Sequence, residues 1–257
     1  MAASNNSIKK TLTVALALSI VCSVIVSTAA VVLRPTQQMN QELDRKSNIL
    51  QVAQLYQPGV DVNELFKEKI TPRVIDLETG EYSEELDPET YNQFEAAKDP
   101  ATSRTLSGPH SPGLSRLEEF STVYLVGDPE NPDQIILPIR GQGLWGLMRG
   151  FLALEGDGNT IVGLSYYDHS ETPGLGGEVD NPRWKAQWDG KKVYDDSPMQ
   201  PEIRLVKGGA DSEYEADALS GASLTSRGVT NMLQFWLSEA GFADYLARFH
   251  DNVQGGA

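Results

Sequence analysis

The chain has one cysteine, Cys22, and three histidines among its 257 residues. One cysteine cannot build an internal disulfide framework. Thiolate-rich zinc and iron–sulfur sites need several closely spaced Cys or His ligands, and His110, His169 and His250 lie far apart. Basic residues are also few. The 21 Lys and Arg face 36 Asp and Glu, and the net charge of −15 is the wrong sign for nucleic-acid phosphates. There is no Gly-x-Ser-x-Gly elbow for a serine hydrolase and no Gly-Lys-Ser/Thr ending a Walker loop. No strand–turn–helix nicotinamide fingerprint, internal repeat or low-complexity tract is evident either.

Charge is missing altogether from residues 11–33, TLTVALALSIVCSVIVSTAAVVL, which also lack Gly and Pro. As a helix this run spans roughly 34 Å, enough for a hydrocarbon core of about 30 Å. Lys9 and Lys10 precede it, and Arg34 and Pro35 are expected to end it. The basic pair in a tail without acids favours a cytoplasmic N-terminus, with the acidic remainder on the far side, the periplasm of a bacterium. A cleaved signal peptide is the rival, since Ser27-Thr28-Ala29-Ala30 offers small residues to a peptidase. The apolar run continues past that point and is longer than a usual signal core, which favours a retained single-pass anchor. Cys22 would then be a small apolar filler within the span.

The rest reads as an α+β domain with a mostly antiparallel sheet and packed helices. Residues 37–55 and 61–69 have helical spacing, residues 73–86 suggest a hairpin turning at Thr79-Gly80, and residues 87–118 suggest an irregular surface excursion. Strands are expected at 120–127, 135–139, 147–154, 160–167 and 203–207, with a two-proline loop at 128–134 and a hairpin turn at GDGN, 156–159. Residues 181–190 read as a helix capped by Asn181, with Pro182 in its first turn and Gly190 ending it. Trp184 and Trp188 then share one face and read as core. Val229, Met232, Leu233, Trp236 and Ala240 mark one face of a helix stopped by Gly241, and residues 242–249 form a last helix. The division expected is a tail at 1–10, a span at 11–33, a membrane-proximal region at 34–118 and a main domain at 119–257.

Residues 217–230 crowd Ser220, Ser223, Thr225, Ser226 and Thr230 ahead of that helix. Simple capping of free N–H groups is the plain explanation. A helix start is also a ready anion site, and Gly221, the hydroxyls and Arg227 would suit a phosphate. Gly228 would let something bulky approach the helix backbone.

Asp217-Ala218-Leu219-Ser220-Gly221-Ala222-Ser223-Leu224-Thr225 resembles the attachment motif of the covalent-FMN-binding domain family, with every fixed position met. His169-Ser170-Glu171-Thr172-Pro173-Gly174-Leu175-Gly176 resembles the flavin-side loop of the same proteins. The stretches GLWG at 143–146, 181–196 and VKGGA at 206–210 agree as well. The resemblance implies FMN joined by a phosphoester to Thr225, installed by a flavin transferase from FAD and magnesium. Asp217, Ser220, Gly221, Ala222 and Ser223 would be read by that transferase, Asp217 alternatively serving as a turn carboxylate. It further implies cofactor contacts from Trp145, Glu171, Thr172, Gly174, Leu175, Lys207, Ser223, Leu224 and Ser226, with Gly176 allowing close approach and His169 structural. Ordinary strand packing stays open for Trp145, and a solvated surface role for Lys207. The implied function is electron relay, without a catalytic residue or metal of its own, among the membrane subunits of a sodium-pumping NADH:ubiquinone reductase. The chain would not be active alone. The homologous flavin subunit of the ferredoxin-linked Rnf complex and a non-redox periplasmic docking module remain alternatives.

Overall fold

The computed structural model describes residues 8–106, 112–195 and 200–254. The first seven residues of the expected tail, and residues 107–111 of the expected surface excursion, lie outside these. The chain forms two compact units, Met1–Asp44 and Arg45–Ala257.

The first unit is built from helix α1, Ile8–Val52, whose last turns belong to the second. Its apolar side chains from Leu12 to Leu33 are all exposed. A helix apolar all round its circumference is what a lipid environment selects, and α1 is long and apolar enough to cross a membrane. Pro35 does not end the helix, contrary to the sequence reading. Proline removes one N–H, the donor to the carbonyl four residues back. The helix-forming run QQMNQELDRK resumes directly beyond it and carries the helix on.

The second unit is organised by a five-stranded antiparallel sheet of order β1-β4-β5-β6-β7. Its strands are β1 Ile70–Asp76, β4 Phe120–Asp128, β5 Asn131–Gln142, β6 Leu147–Glu155 and β7 Ile161–Asp168. Both faces of the sheet are covered. Alternate residues such as Val123, Leu125, Ile135, Leu137, Leu152 and Leu154 enter one core, while Tyr124, Val126, Ile136, Phe151 and Ala153 enter a second. This explains why STVYLV, IILPI and FLAL read as nearly unbroken apolar runs: successive side chains point to opposite faces, and here neither face meets water. The second core is closed by Ile49, Leu50 and Val52 from the last turns of α1 and by Leu65 of α2, Val62–Lys69, which Asp61 caps.

The first core is closed by α5, Ser223–Trp236, and α6, Ala243–Gln254. Val229, Met232, Leu233 and Trp236 are completely buried. Burying each such side chain is worth roughly 1.5–3 kcal/mol, so this face fixes how α5 lies. Trp236 also donates its indole N–H to the carbonyl of Arg140 on β5, 2.7 Å away. The Arg140 guanidinium lies over the rings of Phe94 and Trp236 and forms a buried two-pronged pair with Glu118.

Several boundaries differ from expectation. The two-proline loop at 128–134 is a tight turn, and β5 already begins at Asn131 with Pro132 inside it. A register shift between Val126 and Gly127 accommodates this. The 181–190 helix stops early as α4, Pro182–Ala186, and turns on to Gly190 at φ +76°. Helix α5 ends at Trp236, so Ala240 is not on it. The excursion at 87–118 contains helix α3, Gln93–Ala96, and a ribbon of β2, Ser103–Thr105, with β3, Arg116–Glu118. Strand β8, Arg204–Val206, pairs in parallel with an unforeseen β9, Glu215–Asp217. Trp184 and Trp188 are core, their rings edge to face at 5.5 Å. Gly141, Gly143 and Gly146 have the spacing of a dinucleotide loop, but they turn from one antiparallel strand into the next, with no helix following to receive a pyrophosphate.

Candidate functional site

Three segments meet at one edge of the sheet: the 143–146 turn between β5 and β6, the 169–177 loop after β7, and the first turn of α5. Two close approaches set their spacing. A Cβ on Gly228 would lie 2.4 Å from the Gln142 carbonyl, so only glycine lets α5 pack on the end of β5. The bulk approaching Gly228 is thus the protein's own backbone. A Cβ on Gly176 would lie 2.4 Å from Glu171 Oε2 and 2.6 Å from Thr225 Oγ1, so glycine is required there too. Gly174 has a different need. Its φ is +77°, while nothing lies within 4 Å of its would-be Cβ.

Thr225 sits at the centre, completely buried, and its hydroxyl donates to Glu171 Oε2 at 2.5 Å. That length is typical of a hydroxyl bonded to a carboxylate. Glu171 Oε1 accepts the backbone N–H groups of Leu144 at 2.9 Å and Trp145 at 3.0 Å. The backbone of Glu171 is held in turn, its N–H donating to His169 Nδ1. With Nδ1 accepting, His169 Nε2 carries the proton and donates to Asp180 at 2.8 Å. His169 thus braces the backbone of Glu171 against Asp180.

The hydroxyls of the motif divide by position. None caps α5. Its N-cap is Ala222, which has no hydroxyl, and the first backbone bond runs from Ser226 N–H to the Ala222 carbonyl. Ser226 Oγ turns inward, donating to the Ala222 carbonyl and accepting the Leu219 N–H. Thr230 accepts the N–H of Leu205 on β8. Ser220 and Ser223 are exposed, as is Gly221 at φ +72°. Asp217 ties down the VKGGA stretch by accepting the Ala210 N–H at 2.7 Å, and Lys207 beside it is exposed.

Around the buried hydroxyl stands an apolar rim: Leu144, Trp145, Leu175 and Leu224 are all exposed, Trp145 by 66%. Trp145 donates its indole N–H to Thr172 Oγ1 at 3.0 Å. Leu175 reaches within 3.1 Å of where Gly221 would carry a Cβ. Leu144 and Leu224 also line a cleft of about 300 Å³ that includes Arg227 and Asn231. Sequence reasoning missed Leu144, whose only signal is a large apolar residue inside a glycine-bounded turn.

These residues fit a flavin nucleotide. An uncapped helix start offers N–H donors to a phosphate, and exposed flat and branched apolar side chains offer surfaces to a planar ring. Among the described residues, no cluster of His, Cys, Asp or Glu could hold a metal ion.

Comparison with known proteins agrees with this geometry. Residues 143–238, which hold all three segments, match the family described as FMN-binding domain. The chain is 48% identical to a Vibrio parahaemolyticus protein named as the C subunit of Na(+)-translocating NADH-quinone reductase, over 98% of both chains. It is 46% identical to the Pseudomonas aeruginosa protein of the same name, over 95% of this chain and 97% of that one. The crystal structure titled Shewanella oneidensis NqrC superposes with a TM-score of 0.74 at 32% identity, covering 82% of this chain and 97% of that one. The corresponding reductase subunit from Parabacteroides distasonis gives 0.64 at 26%, covering 83% and 96%.

Proposed function

The chain belongs to the NqrC family, the C subunits of Na(+)-translocating NADH-quinone reductase, and from that membership we propose that it carries FMN esterified through its phosphate to Thr225. It is a subunit of an oxidoreductase complex and acts there as an electron relay, not as a complete enzyme. When bound, the flavin would supply the one- and two-electron redox chemistry of such a relay.

The chain's own residues hold and screen that group. The start of α5 supports the negative charge left on a phosphodiester, through its free N–H groups and the helix dipole. Trp145 and Leu175 would cover the ring, Thr172 and Leu224 would border it, and Lys207 would offer a balancing charge. Asp217, Ser220, Gly221, Ala222 and Ser223 present the motif to a flavin transferase. Of these, Asp217, Ser220, Gly221 and Ser223 are exposed enough to be read directly, and Asp217 also holds the VKGGA stretch in place.

Lys9 and Lys10 ahead of an uncharged span support an N-terminus in the cytoplasm and a flavin domain in the periplasm. The partners are then the other membrane subunits of the sodium-pumping NADH:ubiquinone reductase. No acidic or basic residue falls within 11–33 to bind an ion there. The observation that carries the proposal is a single threonine hydroxyl at an uncapped helix start, within the matched domain and ringed by exposed apolar side chains. Replacing Thr225 by Ala and expressing the chain with a flavin transferase tests it. Bound flavin is lost while the fold is kept, and a variant as flavin-loaded as the parent overturns the assignment.

A further inference from the structure

Resting on the reading of Thr225 as the attachment point, we propose that Glu171 is the general base for its own chain's flavinylation. The transferase would then supply the activated flavin, while the acceptor protein supplies the proton acceptor.

A threonine hydroxyl is a poor nucleophile until its proton has somewhere to go. A base must lie within hydrogen-bond reach of that proton, and Glu171 Oε2 already accepts it at 2.5 Å. The carboxylate is held in place by groups that do not depend on Thr225. Oε1 is fixed by the N–H groups of Leu144 and Trp145, and the main chain by His169. Gly176 lies against both oxygens and leaves no room for a side chain between them.

The step balances. Thr225 Oγ1 attacks the flavin-side phosphorus of a flavin dinucleotide pyrophosphate. The Oγ1–P bond forms, the pyrophosphate P–O bond breaks, and the adenosine monophosphate half leaves with the electron pair. The hydroxyl proton passes to Glu171 Oε2. The ester oxygen can no longer donate, and the newly protonated Oε2 donates to it instead. The contact survives with its direction reversed, and a carboxylate is not left facing a phosphate. Because Thr225 is fully buried, the phosphorus reaches it only when the exposed Leu175 and its neighbouring glycines lift away. Glu171 stays in place during that movement through its anchors on the 143–146 turn.

The test follows flavin incorporation into the full-length chain by intact mass, with a flavin transferase, FAD and magnesium. Glu171→Gln keeps an oxygen for the two N–H groups but presents a non-basic amide to Thr225. Its incorporation rate falls by at least about 100-fold, in line with the usual contribution of general bases. Glu171→Ala is equally slow, and added formate restores much of its rate. Rescue is read within one variant, so lost stability does not mimic it. Incorporation into Glu171→Gln at the parental rate, or no response of Glu171→Ala to formate, overturns the proposal. A parent chain that takes up no flavin at Thr225 instead refutes the attachment reading on which the proposal rests.

Discussion

Trp145 donates its indole N–H to the hydroxyl of Thr172, 3.0 Å away, and yet its ring stays 66% exposed. The bond sets the ring's orientation without burying it, as expected of a surface waiting for a planar partner. Replacing Trp145 by Ala therefore leaves attachment at Thr225 intact but frees the ring, raising flavin fluorescence and lowering its anisotropy. Stability changes by no more than about 0.5 kcal/mol, because an exposed ring contributes little to folding. Unchanged flavin emission would remove Trp145 from the site.

Gly176 allows the carboxylate and hydroxyl to meet. Gly176→Ala forces a methyl group to within 2.4 Å of one oxygen and 2.6 Å of the other. Overpacking of this kind costs about 1–3 kcal/mol. A lowered melting temperature together with slow flavin uptake is expected. By contrast Gly190, where a Cβ meets nothing within 4 Å, pays only for its φ of +76°.

The buried pair of Arg140 and Glu118 secures β5 two residues before Gln142, against which α5 packs. Removing one partner leaves an uncompensated buried charge, so Arg140→Ala destabilises by about 3–5 kcal/mol. Replacing both partners with apolar residues of similar volume recovers most of that loss. Urea unfolding of the three chains in detergent measures both effects.

Burial raises the hydroxyls of Tyr166 and Tyr167. Tyr167 is pushed up to about 12, chiefly by desolvation, and Tyr166 is also raised by its burial. A raised folded-state value favours the protonated form, so its stabilising effect is whole below pH 10. Between pH 10 and about 12 the unfolded chain loses the Tyr167 proton while the folded chain keeps it, and stability falls. Phenolate absorbance should therefore lag in the folded protein and appear together with alkaline unfolding.

Much of this arrangement is legible in the sequence. The uncharged run at 11–33, the cap at Asn181, the four long strands β4 to β7 and the face of α5 all follow from local pattern. What escaped depends on contacts distant in sequence. Strand β9 exists because Glu215–Asp217 lie beside β8, and no three-residue window signals that. Helix α1 runs through Pro35 because strong helix formers lie beyond the missing bond. At the site, the motif identified Thr225 and Glu171 separately. Their direct bond joins positions 54 apart in the chain and depends on Gly176 and Gly228 drawing three segments together. The inward turn of Ser226 and the capping role that no hydroxyl takes were hidden for the same reason.

The most direct measurement is the mass of the peptide containing Thr225, taken after denaturing full-length protein produced together with a flavin transferase. The expected result is an increase of one FMN less one water, located on Thr225 and absent from Thr225→Ala. A peptide of unmodified mass, from a protein that loses all its yellow colour on unfolding, would contradict covalent attachment at this threonine.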